Sequence, residues 1–125
     1  MPEAATTLGF QLLGVDPDEG TIEVAFDAST GFRNPAGHIQ GGFLAAMLDD
    51  TLGPALVATL APEQFAPTLD LHVQFLRPAT PGRILGRGRV VHKRRTIAFL
   101  AGELTDVDGT LFASATATAA IRTIT

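Results

Sequence analysis

From about Gln40 to Leu60 the apolar residues recur at steps of three and four, and this one amphipathic run governs what the chain can become. Leu44, Met47, Leu48, Thr51, Leu52, Ala55 and Leu56 form a single stripe. The opposite face carries Gly42, Ala45, Ala46, Asp49 and Gly53: small residues with one acid set among them. Small residues let another backbone or a ligand come close. Aspartate is a poor helix former and costs several kcal/mol if buried unpaired, so an acid at this position calls for a use. Asp50 lies about 100° further round the helix and off that face, which makes Asp49 the candidate functional acid. Pro54 removes a backbone donor inside the run and predicts a kink or break near Gly53.

The segments around this helix alternate instead. Phe10–Val15 and Thr21–Phe26 read as two strands joined by the turn residues Pro17, Asp18, Glu19 and Gly20. Ala28–Ile39 is a loop rich in Ser, Thr, Gly, Asn and Pro. After the helix, Leu69, Leu71, Val73 and Phe75 alternate with Asp70, His72 and Gln74, the pattern of a half-buried strand closed by Pro78 and Pro81. Ile84–Val91 and Thr96–Leu104 follow, then a turn at Asp106, Asp108 and Gly109, then Leu111–Ile121. The order is two strands, one long helix and four strands. A meander of antiparallel strands has one face to bury, and a single long apolar helix covers it. The expected class is α+β, with residues 1–125 forming one domain.

Composition narrows the function. A hydrophobic content of 46% with 18% charged residues is that of a globular chain. A net charge of −4 argues against nucleic acid as a partner. No apolar run is long enough to span a membrane, and Met1–Thr7 lacks the basic start and apolar core of a signal peptide, so a cytoplasmic location is expected. With no cysteine there is no disulfide, thiol chemistry or thiolate metal site. His38, His72 and His92 lack metal-ligand spacing, so neither a metal nor a cofactor is expected. Gly86-Arg87-Gly88 is not a dinucleotide fingerprint, since no third glycine opens a helix. Arg83, Arg87, Arg89, Lys93, Arg94 and Arg95 crowd one segment. They suit either a phosphorylated small molecule or a charge-protected edge strand.

The stretch that opens the helix, Asn34-Pro-Ala-Gly-His-Ile-Gln40-Gly41-Gly42-Phe43, joins loop donors to a helix start and places Asp49 about two turns further on. The order of elements and this stretch together resemble the hotdog fold, in which a curved antiparallel sheet wraps a central helix. More narrowly, the chain is similar to acyl-CoA thioesterases of the phenylacetic-acid-degradation type. That type carries an Asn, a His-Gly-Gly six residues later and an acid nine residues after the His. Asn34, Gln40-Gly41-Gly42 and Asp49 stand at those spacings, and Phe75-Leu76-Arg77-Pro78-Ala79 and Asp108-Gly109 with Leu111-Phe112-Ala113 match later segments. The resemblance covers roughly Leu8–Ile121. It departs at Gln40, which replaces the usual His; Gln donates and accepts hydrogen bonds but does not titrate, so a positioning role survives and an acid–base role does not.

The resemblance implies hydrolysis of an acyl- or aryl-acyl-CoA to free acid and CoA. The Gly41 amide, unpaired at a helix start, would stabilise the oxyanion. Asp49 would act as general base or as nucleophile. Asn34 would orient the thioester or the water, and Thr68 matches a position whose hydroxyl helps hold the water. Phe10, Phe43, Phe65 and Phe75 are expected in the core, with Phe43, like Gly42, close enough to the motif to line a substrate pocket; Arg94 and Arg95 are candidates for the CoA phosphates by their charge, not by the resemblance. Gly41 and Asp49 are eight residues apart, hence roughly 12 Å along one helix axis. One carbonyl cannot meet both within a chain, because reacting atoms approach to about 3–3.5 Å. Two antiparallel helices packed through their small faces would bring Gly41 of one chain to Asp49 of another, giving a homodimer with two shared sites; the resemblance implies the same and adds pairing into a homotetramer. The Gln40 departure motivates one alternative, a non-catalytic acyl-CoA-binding or sensor module; a second, a hotdog-fold hydratase or dehydratase, is poorly served by a chain without the motif histidine.

Overall fold

The computed structural model describes residues 1–124. Its long helix, α2 (Gly41–Val57), buries the whole predicted stripe, from Leu44 to Leu56. No break occurs at Gly53: the helix runs through Pro54 and ends at Val57, short of Leu60. The bond that Pro54 cannot donate is offset by the buried Thr51, Leu52, Ala55 and Leu56 on either side. Beyond Val57 the chain tightens: Thr59 donates to the Leu56 carbonyl at 2.9 Å and Leu60 to that of Val57 at 3.0 Å.

Six antiparallel strands pack under this helix: β1 (Gln11–Asp16), β2 (Thr21–Ala28), β4 (Thr68–Phe75), β5 (Gly82–Lys93), β6 (Ile97–Thr105) and β7 (Leu111–Ala120), in the order β1-β2-β5-β6-β7-β4. The helix touches β2, β4, β5, β6 and β7. This is the hotdog arrangement that the resemblance implies. Along β5, Ile84, Gly86 and Gly88 face the helix and are buried, while Arg83, Arg87 and Arg89 face out. A Cβ on Gly86 would lie 2.5 Å from the Thr51 hydroxyl, so the Gly-Arg-Gly triplet lets helix and sheet meet closely.

Several expectations change. β5 is an interior strand, so the arginine-rich segment is not a charge-protected edge; the edges are β1 and β4. A short helix, α1 (Glu3–Leu8), precedes β1. Six residues are too few to nucleate alone, and burial of Ala5 and Leu8 holds it. A two-residue pairing of β3 (Gln64–Phe65) with β8 (Arg122–Thr123) is likewise too short to show a period. The loop before α2 contains a 3-10 turn, Thr30–Phe32. Phe65 and Phe75, expected in the core, are 46% and 55% exposed, Phe65 on the two-stranded β3–β8 pair and Phe75 at the end of the edge strand β4. Among the described residues no helix is long and apolar enough to cross a membrane.

Candidate active site

Asp49 projects from the exposed small-residue face of α2, next to exposed Ala46 and half-buried Gly53. Thr68 Oγ1 donates to Asp49 Oδ1 at 3.0 Å. Strict alternation would turn Thr68 to the same sheet face as Asp70 and His72. The pairing of β4 with β7 shifts register between Thr68 and Asp70, and this irregularity turns Thr68 to the helix. The Thr68 bond uses one carboxylate oxygen and leaves the other for a substrate or water.

At the start of α2, Gln40 is the N-cap residue and its side chain makes no capping bond. Its amide donates to the Phe32 carbonyl at 2.8 Å, which fixes the entry of the chain, and its exposed side chain stays available. As first residues of the helix, Gly41 and Gly42 have amides without intrahelical acceptors; among the described residues they donate to no other backbone carbonyl. The helix dipole adds positive potential there. Asn34 shapes the preceding loop: its Oδ1 accepts from the amides of Ala36 at 3.0 Å and His38 at 3.1 Å. That leaves only the Asn34 side-chain NH2 to meet a substrate.

Phe43 packs against the core, stacking on buried Phe32 with centroids 4.0 Å apart and planes 8° apart. Phe75 stands at the helix start instead: its ring atoms lie 3.1 Å from where a Cβ of Gly41 would be. The group nearest the missing Gly41 side chain is thus a ring of the same chain.

Asp50 turns away from Asp49 and lines a cavity of about 360 Å³ whose other walls are apolar, among them Ala5, Phe10, Leu12, Pro54 and Val57. Its Oδ2 is buried without a hydrogen-bond partner among the described residues. Burial, and secondly the charge of Asp49, push the Asp50 carboxyl above its usual range. A wider depression of about 810 Å³ lies on the far face of the sheet, among Glu23, Arg87, Arg89 and Glu103; it takes two arginines of the basic segment and none of the residues of the Asn34–Asp49 motif.

The structure therefore brings Thr68 to Asp49 and Phe75 to Gly41. It does not bring Gly41 to Asp49, since both sit on one unbroken helix, roughly 12 Å apart along the axis. Within the basic segment, Arg87 pairs with Glu23 at 3.5 Å, Arg83 donates to Gln11 at 3.3 Å, and Lys93 donates to the carbonyl and hydroxyl of Thr59 at 3.2 Å. Arg94 and Arg95 lie exposed at the β5–β6 turn, which Lys93 ties to the chain just past the end of α2. No three His, Asp or Glu side chains converge among the described residues.

Comparison with known proteins bears on the family and the fold. Residues 36–113 match the family model of the thioesterase superfamily. Among solved structures, a phenylacetic acid degradation-related protein from Ralstonia eutropha is 42% identical, with a TM-score of 0.93 over 96% of this chain and 90% of that one. A thioesterase family protein from Silicibacter pomeroyi is 25% identical, with a TM-score of 0.90 over 98% and 90% of the two chains. The PaaI protein of the Escherichia coli phenylacetic acid degradation operon is 20% identical, with a TM-score of 0.89 over 99% and 88%. A search of the curated proteins finds no match.

Proposed function

The chain belongs to the thioesterase superfamily and is a thioester hydrolase; from that premise we propose that it cleaves acyl- or aryl-acyl-CoA in sites shared between two subunits. The observation that carries this reading is the carboxylate of Asp49, held by the Thr68 hydroxyl on an exposed face and out of reach of its own chain's free helix-start amides.

In a two-fold dimer, the thioester carbonyl oxygen rests on the Gly41 amide of one subunit, with Gln40 and the Asn34 side-chain NH2 as further donors. Asp49 of the other subunit faces the carbonyl carbon. As a base, Asp49 takes a proton from water as the water oxygen bonds to that carbon. As a nucleophile, it bonds to the carbon itself and the resulting anhydride is then hydrolysed. In both routes the carbon–sulfur bond breaks and CoA leaves as the thiolate, which becomes the thiol by taking the proton held on Asp49 in the first route and one from solvent in the second. The Gly41 amide stabilises the negative oxygen formed on the way, the term that usually dominates in such reactions.

The dimer reading is supported by the free edge of β4 and by exposed Leu69 and Leu76 on or beside it, apolar surface that a second chain would cover. Dimers pair further into a homotetramer, and the soluble CoA substrate places the reaction in the cytoplasm. Exposed Arg94 and Arg95 supply charge for CoA phosphates. The test is thiol release from phenylacetyl-, hydroxybenzoyl- and medium-chain acyl-CoAs, with Asp49→Asn as control. Hydrolysis that Asp49→Asn abolishes supports the reading; equal rates for the two proteins remove Asp49 from the chemistry.

A further inference from the structure

Outside its chain neighbours, the ring of Phe75 is the side chain that comes nearest to the space a side chain on Gly41, the residue of the proposed oxyanion donor, would fill. Its Cε1 and Cζ atoms lie 3.1 Å, and Cε2 3.5 Å, from the position a Gly41 Cβ would occupy. Ordinary carbon contacts lie near 3.5–4.0 Å, so glycine is what allows the ring to sit this low against the helix. Yet the ring is not a core residue: Phe75 is 55% exposed. One side packs against the first turn of α2 at Gly41, and more than half of the residue is open in the single chain. Phe43 offers no such surface, since it is stacked on Phe32.

The strand that carries the ring makes the placement firm. β4 pairs with β7 up to Phe75↔Ala113, and the next two amides, of Leu76 and Arg77, both donate to the Phe112 carbonyl at 2.8 and 3.1 Å. The same strand begins at Thr68, which holds Asp49. β4 thus brackets the machinery, with a hydroxyl at the carboxylate and an aromatic ring at the helix-start amide.

Resting on the thioesterase reading above, we propose that Phe75 is a positioning residue: its ring presses the thioester against the Gly41 amide and keeps water off that amide, and position 41 is glycine because the ring fills the space a side chain would need. Hydrogen-bond donors aimed at a forming oxyanion act most strongly when water is excluded, and small misplacements of the reacting carbonyl are costly in rate.

The test is a cycle of Phe75→Ala, Gly41→Ala and the double variant, read by kcat and KM, by thermal midpoint and by dimer content. Phe75→Ala is expected to lower kcat about tenfold while KM moves less than about threefold. Phe75→Leu, which restores apolar bulk, recovers part of the loss. Gly41→Ala alone lowers kcat by displacing the ring, and adding it to Phe75→Ala causes no further loss, because the two changes act through one contact. Unchanged kcat in Phe75→Ala, fully multiplicative losses in the double variant, or a loss explained by a broken dimer would each overturn the proposal. If the wild type hydrolyses no acyl-CoA, the thioesterase reading fails separately. Binding of a thioether analogue of acyl-CoA then decides: binding about tenfold weaker in Phe75→Ala supports the ring's contact with the ligand, and equal binding refutes it.

Discussion

Removing the Thr68 hydroxyl separates a catalytic role for this residue from a structural one. Thr68→Val keeps the branched shape that suits a strand and deletes only the donor to Asp49. A hydrogen bond to a charged acceptor contributes about 1.5–3 kcal/mol when shielded. Here both Thr68 and Asp49 are exposed, and exposed charged contacts measure nearer 0.2–1 kcal/mol. A stability loss of roughly 0.5 kcal/mol follows, which for a domain of this size moves the thermal midpoint by about 2 °C. The effect on rate is larger. Without its partner the carboxylate turns about its side-chain torsions, and a misplacement near 1 Å costs on the order of a hundredfold. The expected fall in kcat is about 10- to 100-fold, or roughly 1.4–2.7 kcal/mol of barrier, while Thr68→Ser, which keeps the donor, stays within about threefold. The assay is steady-state thiol release beside calorimetric unfolding of the same samples. An unchanged kcat in Thr68→Val, or a fall that merely tracks unfolding, would refute the reasoning.

Gly41→Pro tests the amide donor directly. Proline is tolerated at the first helical position, and Gln40 at φ −63° and ψ 139° already holds the conformation a residue before proline needs. Loss of this N–H is expected to lower kcat by about 10²–10³, at least tenfold below Gly41→Ala, which retains it; equal activities would remove the amide from the mechanism. Asp50→Asn is expected to raise the thermal midpoint at pH 7. A carboxyl whose pKa is raised on folding binds protons preferentially in the folded state, so its ionisation above roughly pH 4 weakens the fold. The gain should therefore vanish in midpoints measured below that pH, and a gain that persisted there would contradict a charge origin.

The fold was legible in the sequence wherever one period ran long. The stripe from Leu44 to Leu56 is the buried face of α2, and the alternating runs after it became β4 to β7 with bounds moved by one or two residues. Short elements escaped because packing, not local pattern, makes them: α1 depends on burying Ala5 and Leu8, and β3 on finding β8. Of the kink or break expected near Gly53, the break does not occur, because flanking burial outweighs the one hydrogen bond that Pro54 cannot make. At the site, spacing led to Asp49 and helix geometry separated it from Asp50. The bond from Thr68 needs a shift in strand register that no alternation pattern predicts. Phe75 was read as core because an apolar residue in phase with Leu71 and Val73 gives no sign that its strand is an edge.

Mixed dimers test the shared site most directly. One chain carries Asp49→Ala and keeps its helix-start amide; the other carries Gly41→Pro and keeps its carboxylate. Each alone is inactive, yet a mixed dimer rebuilds one native site of its two. With random exchange half of the dimers are mixed, so the pool should recover about one quarter of wild-type thiol release. Purified mixed dimers without activity would contradict a site built from two chains.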